Sequence, residues 1–169
     1  MIKAPFPHMV LNAEAIPGRF KMWNTYDVDY GTSVEHMLGW TADVARTSPW
    51  GKLETVIINC HGGPARLLIG AEITRKDTPK FAVLKDQEGK PLVTRIWIVA
   101  CSAGYIGKGW SGDGNLFSCE IAKAAGAYVS VPTSLQRGER KVSYGYIDDW
   151  EGTVLTYGPL GNVVATKNY

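Results

Sequence analysis

The sequence lacks the features that would tie it to a membrane or to a disulfide framework. No stretch approaches the roughly 18 uninterrupted apolar residues of a membrane span, and the N-terminus has no apolar signal-peptide core. Three cysteines, an odd number, do not make a disulfide framework and favour a reducing compartment. We therefore expect a cytoplasmic protein, or one exported by a route without a cleavable signal peptide.

Charged residues are too few and too balanced to identify a partner. The formal net charge is +2 with 20% charged residues, so there is neither a basic stripe for nucleic acid nor an acidic tail. We expect no nucleic-acid and no membrane partner, and the sequence leaves the oligomeric state open. With 45% hydrophobic residues, the 169-residue chain can bury one sizeable core, and we interpret residues 1–169 as a single domain.

Several enzyme motifs are also missing. No Gly-x-Ser-x-Gly segment occurs, so serine hydrolysis is not expected, although residues 61–63 are similar to the oxyanion loop of α/β-hydrolases. The Gly-x-Gly-x-x-Gly match at residues 107–112 lies late in the chain and lacks an acidic partner about 20 residues further on. No histidine follows His61, whereas amidotransferase-like folds place theirs after the cysteine. We expect no nucleotide or other cofactor.

No metal is expected either, because the candidate ligands lack the spacing of a metal site. These candidates are Cys60, His61, Cys101 and Cys119.

The strongest functional signal is a pair of apolar runs that each end in a reactive residue. Residues 56–60 precede His61, and residues 96–100 precede Cys101. Short runs of this kind are typical of buried strands in an α/β sheet, and ligands bind at the carboxyl ends of such strands. We therefore expect His61 and Cys101 to meet at one sheet edge. Because an adjacent imidazole activates a thiol as a nucleophile, the pair is a candidate catalytic dyad.

Two helices are predicted around these strands. The first covers residues 33–46, with Thr32 and Glu35 forming a capping box and an apolar stripe on one face. The second begins near Asn115, after a glycine-rich loop, and ends at Gly126 as its C-cap. The alternation of strands and helices predicts an α/β fold with a mainly parallel sheet.

The ends of the chain are less regular in sequence. Residues 1–20, rich in Pro and Gly, are predicted to form an irregular N-terminal arm in which His8 is solvated. Residues 127–131 form one more buried strand, while residues 142–146 and 153–157 form a hairpin or edge strands.

The succession of a strand ending in His-Gly, a strand ending in Ala-Cys, a helix and a further strand resembles the core of the caspase-like cysteine peptidases. That superfamily includes caspases, metacaspases, legumains, gingipains, clostripain and separases. The resemblance covers roughly residues 50–133, and His61 precedes Cys101 by 40 residues, in the order that caspases show. It implies a caspase-like three-layer sandwich with a mainly parallel central sheet. It also implies a soluble thiol protease that cleaves polypeptide substrates as an endopeptidase.

The resemblance also assigns roles to individual residues. Cys101 is the nucleophile, and His61 is its general base or the proton donor to the leaving amine. The backbone N–H groups of Gly62 and Cys101 form the oxyanion hole. Because residues 99–104 read Val-Ala-Cys-Ser-Ala-Gly rather than the caspase pattern, a preference for aspartate is not implied.

Candidate substrate-binding residues follow from their position near the cysteine or in loops and edges. They are Ser102, Trp110, Tyr144 and Trp150. The aromatic members fit an aromatic partner-binding surface equally well. Asp148, Asp149 and Glu151 fit either a pocket for a basic side chain or a solvated turn. The alternative function is a non-catalytic caspase-like binding or interaction module.

Overall fold

The computed structural model describes residues 1–107, 112–137 and 141–169. Its strands are β1 (Ile2–Lys3), β2 (His8–Ala13), β3 (Asn24–Val28), β4 (Leu53–Asn59), β5 (His61–Gly63), β6 (Arg66–Leu68), β7 (Ile73–Thr74), β8 (Val93–Val99), β9 (Tyr128–Pro132), β10 (Tyr146–Ile147), β11 (Thr153–Tyr157) and β12 (Val163–Asn168). Its helices are α1 (Val34–Thr47), a 3₁₀ helix (Arg75–Leu84) and α2 (Gly114–Ala125). No helix within these ranges is long and apolar enough to cross a membrane.

Seven strands form one mixed, mostly parallel sheet. Their order is β12-β11-β9-β8-β4-β2-β3. Strands β3, β2, β4, β8 and β9 run parallel, and β11 is antiparallel to both of its neighbours. The predicted α/β fold with a mainly parallel sheet is confirmed. Strands β5, β6 and β7 form a small separate sheet, and β1 pairs with β10.

The central strands are buried on both faces, which explains their continuous apolar sequences. On β4, Val56 and Ile58 face the main core that the helices complete, whereas Ile57 faces a smaller second core. On β8, Ile98 and Val99 divide between the two cores in the same way.

Helices α1 and α2 confirm the predicted helices, with one correction at a helix start. The Ser33 side chain caps α1 by accepting the backbone N–H of His36 at 3.1 Å, so the N-cap lies one residue after the predicted Thr32. Helix α2 ends as expected at Gly126, whose φ of 65° lies in the left-handed region.

All three described helices pack on one face of the sheet, so the described residues do not show the helical layer on the second face that the predicted three-layer sandwich requires. Parallel strands are joined by right-handed crossovers. The β3–β4, β4–β8 and β8–β9 connections advance in one direction across the sheet, so they cover the same face. Among the parallel connections, only β2–β3 advances in the other direction, so it covers the opposite face. That connection, residues 14–23, contains no helix and covers the second face with Phe20 and Met22.

The prediction of an irregular arm over residues 1–20 is wrong. Residues 8–13 form β2, a strand between β3 and β4 whose six residues are all buried. The interpretation failed because β2 contains His8 and Asn12, polar residues whose partners lie far away in sequence. Their burial depends on hydrogen bonds that a local pattern does not reveal.

His8 is buried rather than solvated and should make stability depend on pH. Its Nδ1 accepts the backbone N–H of Trp23 at 2.9 Å, and burial lowers the pKa of the imidazole below 6.5. A lowered folded-state pKa means that the unfolded chain binds the proton more readily, so this contribution is complete above pH 6.5 and declines as the pH falls.

We therefore expect the free energy of unfolding of the wild type to fall between pH 7.5 and pH 5. Urea unfolding at these pH values measures it, with His8→Asn as the non-titrating variant and His36→Ala as a control for an exposed histidine. An equal pH dependence in wild type and His8→Asn would contradict the expectation.

Candidate active site

The carboxyl ends of two neighbouring parallel strands bring the reactive residues to one edge. Asn59, the last residue of β4, is paired with Val99, the last residue of β8. His61 and Cys101 each follow two positions later. The Cys60 N–H extends the ladder by donating to the Val99 carbonyl at 3.3 Å. The expectation that both residues reach the same sheet edge is confirmed at the level of the backbone.

The His61 side chain is exposed and borders a cavity of its own. His61 opens β5 and is paired with Leu68 of β6. The cavity has a volume of about 190 Å³ and lies beside the ends of β2 and β3. Its acidic lining residues are Glu14 and Glu72. Cys101 does not line this cavity.

The Cys101 thiol is half-buried and contacts a residue that the sequence did not single out. The Gln136 backbone N–H donates to Sγ at 3.4 Å. The thiol in turn donates to the Gln136 carbonyl oxygen, which lies 3.6 Å from Sγ. Within the described residues, no hydrogen bond joins the His61 imidazole to the thiol. The structure thus brings the two backbones together while the thiol bonds elsewhere.

Gly62 lies where a side chain would not fit. A Cβ at this position would lie 2.8 Å from the Arg66 carbonyl oxygen, 3.0 Å from the Ala100 Cβ and 3.5 Å from the Cys101 carbonyl oxygen. Glycine therefore allows the β5 backbone to approach the Cys101 segment closely. Within the described part of the chain, the Cys101 N–H donates to no other group.

A sharp turn follows the cysteine. Ser102 has a φ of 49°, in the left-handed region that a residue with a Cβ rarely occupies. Its N–H donates to the Ser134 carbonyl at 2.8 Å, and the Gly104 N–H donates to the Pro132 carbonyl at 3.0 Å. These bonds hold the turn against the end of β9. Strained backbone of this kind is concentrated at functional sites.

Gln136 is fixed by its side chain as well as its backbone. Its Nε2 donates to the Glu151 carbonyl at 2.9 Å, and the Glu151 N–H donates to its Oε1 at 3.1 Å. The Glu151 carboxylate in turn pairs with Arg137. The only sequence signal for Gln136 was its position shortly after the predicted strand at residues 127–131, which is β9.

A buried amide pair supports the His61 side of the edge. Asn12 and Asn59 are fully buried, and the Asn59 Nδ2 donates to the Asn12 Oδ1 at 2.9 Å. Asn12 also bonds both backbone polar groups of Phe20 and donates to the Asp27 carboxylate at 3.1 Å. The pair therefore ties the ends of β2, β3 and β4 to the connection that covers them.

The predicted substrate-binding aromatic residues do not lie together. Trp110 lies outside the described residues. Tyr144 packs against His8, the first residue of β2, with ring centroids 5.9 Å apart. It therefore lies at the amino end of the parallel strands, opposite the candidate site. Trp150 is only 5% exposed and packs its ring against Trp97 in the second core, but it also lines a cavity at the site edge together with Gln136.

The acidic residues near Trp150 line a second cavity at the same edge. This cavity measures about 330 Å³ and includes Gln136, Asp148, Asp149 and Glu151 in its wall. Burial opposes ionisation of Asp148, but backbone N–H groups of Lys141 and Asp149 bond its carboxylate and lower its pKa below 3.8. The cavity also includes Lys141 and Arg137, so its charge is mixed.

Comparison with protein-family models, with curated proteins and with solved structures gave no match. Within the described ranges, no three His, Cys, Asp or Glu side chains cluster as a metal site would require. The geometry of the sheet edge is therefore the feature from which a function can be inferred.

Proposed function

We propose that the protein is a caspase-like cysteine peptidase in which Cys101 attacks a peptide bond with the help of His61. The observation that carries the proposal is the pairing of Asn59 with Val99, because it places the two reactive residues equally far beyond adjacent strand ends. Two other features support it. They are the close approach of Gly62 to the Cys101 segment and the strained turn at Ser102.

The proposed reaction needs only groups of this edge and water. Cys101 Sγ forms a bond to the substrate carbonyl carbon as His61 takes the thiol proton. The N–H groups of Gly62 and Cys101 stabilise the oxyanion. The C–N bond then breaks, His61 protonates the leaving amine, and a thioester remains on Cys101. Water, deprotonated by His61, attacks the thioester, releases the carboxylic acid and restores the thiol.

Alkylation of Cys101 tests whether the two residues are coupled. Iodoacetamide labelling between pH 5 and 9, followed by peptide mass spectrometry, should modify Cys101 in preference to the buried Cys60. Because the imidazole generates the thiolate, His61→Ala should slow the reaction at neutral pH by about tenfold. His36→Ala is the matched control, since His36 is exposed on α1. A rate indifferent to His61 would overturn the dyad.

A peptide library then tests catalysis itself. We expect cleavage by the wild type and none by Cys101→Ala or His61→Ala, whereas Cys119→Ser should cleave like the wild type.

A second candidate function is a non-catalytic interaction module, which the separation of the thiol from His61 favours. Its binding surface would be an exposed group of aromatic rings at the amino end of the sheet. In this group, the ring centroid of Phe6 lies 5.9 Å from that of Trp23 and 5.7 Å from that of Trp50. Unreactive Cys101 together with a folded, stable chain would favour this function.

A further inference from the structure

The segment that follows β9 lies directly over the thiol. We propose that residues 134–137 are a latch that holds the Cys101 thiol away from His61, and that the Gln136 side chain keeps the latch closed. The proposal rests on the proposed function, since it describes how the same thiol is regulated.

The order of strands places the two possible partners of the thiol on opposite sides. Cys101 follows β8, which lies between β4 on one side and β9 on the other. His61 follows β4, and Gln136 follows β9. The Cys101 carbonyl lies on the Gly62 side, whereas Sγ bonds to the Gln136 backbone. The thiol is therefore committed to the side away from the histidine.

Both hydrogen-bonding functions of the thiol are used in this contact. Sulfur accepts one main-chain N–H and donates towards one main-chain carbonyl of the same residue. Transfer of the thiol proton to His61 requires the contact of the S–H group with the Gln136 carbonyl to break. The closed latch therefore opposes transfer of the thiol proton to His61.

Hydrogen bonds to the Glu151 backbone, and not only the contact with the thiol, hold the latch in place. Gln136 makes two hydrogen bonds between its side-chain amide and the Glu151 backbone, and the Ser134 hydroxyl donates to the same Glu151 carbonyl at 2.8 Å. Loss of the amide should raise the population of the open latch. Loss of the Glu151 carboxylate removes its ion pair with the Arg137 side chain and its hydrogen bond from the Arg137 backbone N–H at 2.8 Å, but leaves the Glu151 backbone groups in place.

The test compares Cys101 alkylation rates at pH 7 in the full chain. Because both hydrogen bonds to the Glu151 backbone are lost, Gln136→Ala should accelerate labelling about tenfold. Ser134→Ala should accelerate it by a smaller factor and serves if Gln136→Ala fails to fold. Gln87→Ala, an exposed glutamine elsewhere, is the matched control and should label like the wild type.

The outcomes separate the latch from the peptidase. Faster labelling in Gln136→Ala, without cleavage of any library peptide by either protein, would support the latch and count against the peptidase. Peptide cleavage by the wild type, with the same labelling and cleavage rates in folded Gln136→Ala and Ser134→Ala, would overturn the latch and leave the peptidase intact. Acceleration of both labelling and cleavage would support both.

Discussion

Asn12→Ala is expected to lower the free energy of unfolding by about 3 kcal/mol, because each buried hydrogen bond contributes about 1 kcal/mol. The substitution removes two hydrogen bonds with the Phe20 backbone and one with the Asp27 carboxylate. It also removes one of the two acceptors of the Asn59 amide, which keeps the Gly18 carbonyl at 3.3 Å. Within the described residues, the Asn59 Oδ1 is already buried without a hydrogen-bond donor, so the network has no spare donor to replace the lost Asn12 amide. Urea unfolding followed by circular dichroism measures the change.

The matched control is Asn168→Ala, since Asn168 is exposed and accepts a single hydrogen bond, from the Thr153 hydroxyl at 2.8 Å. We expect this control to lie within about 0.5 kcal/mol of the wild type, as is usual for surface substitutions. A loss of less than 1 kcal/mol in Asn12→Ala would show that the buried network contributes little to stability.

Gly114→Ala is expected to destabilise the fold by about 3 kcal/mol, the upper end of the usual cost of overpacking. A Cβ at Gly114 would lie 2.3 Å from the Ala103 carbonyl oxygen and 2.6 Å from the Tyr105 nitrogen. Both are main-chain atoms of the turn that follows Cys101, so the turn itself must move. We therefore also expect a changed rate of Cys101 alkylation.

Gly39→Ala provides a control of opposite sign. Gly39 lies inside α1, and a Cβ there would meet no atom within 4 Å. Alanine should stabilise the helix by about 0.5–1 kcal/mol because it restricts the unfolded chain and favours helical backbone. Equal thermal unfolding temperatures for the two variants would contradict the steric argument at Gly114.

The elements that the sequence predicted are those whose signals are local. Apolar runs located β4 and β8, and an apolar stripe with Gly126 at its end located α2. Residues 153–157 form a strand as predicted, but β11 lies inside the sheet rather than at its edge. The edge strand on that side of the sheet is β12, whose residues are all exposed, so it carries no pattern of burial that the sequence could reveal.

The candidate site was predictable only in part for the same reason. The paired strand ends predicted that His61 and Cys101 reach one edge, because parallel strands align their carboxyl ends. The contact of the thiol with Gln136 and the support from Asn12 join residues that are distant in sequence. Such pairings follow from the order of strands in the sheet, which single-sequence patterns do not contain.

The register of the β4–β8 ladder determines where His61 and Cys101 lie relative to each other along the sheet edge. A slip of one residue between these strands would move Cys101 by about 3.3 Å along the edge and turn its strand to the other face. The spacing between the backbones of His61 and Cys101 is thus set by main-chain hydrogen bonds in the strands that precede them. Apolar substitutions within the two strands that preserve this register leave the backbone spacing of His61 and Cys101 unchanged. The strands can therefore vary in sequence without altering that spacing.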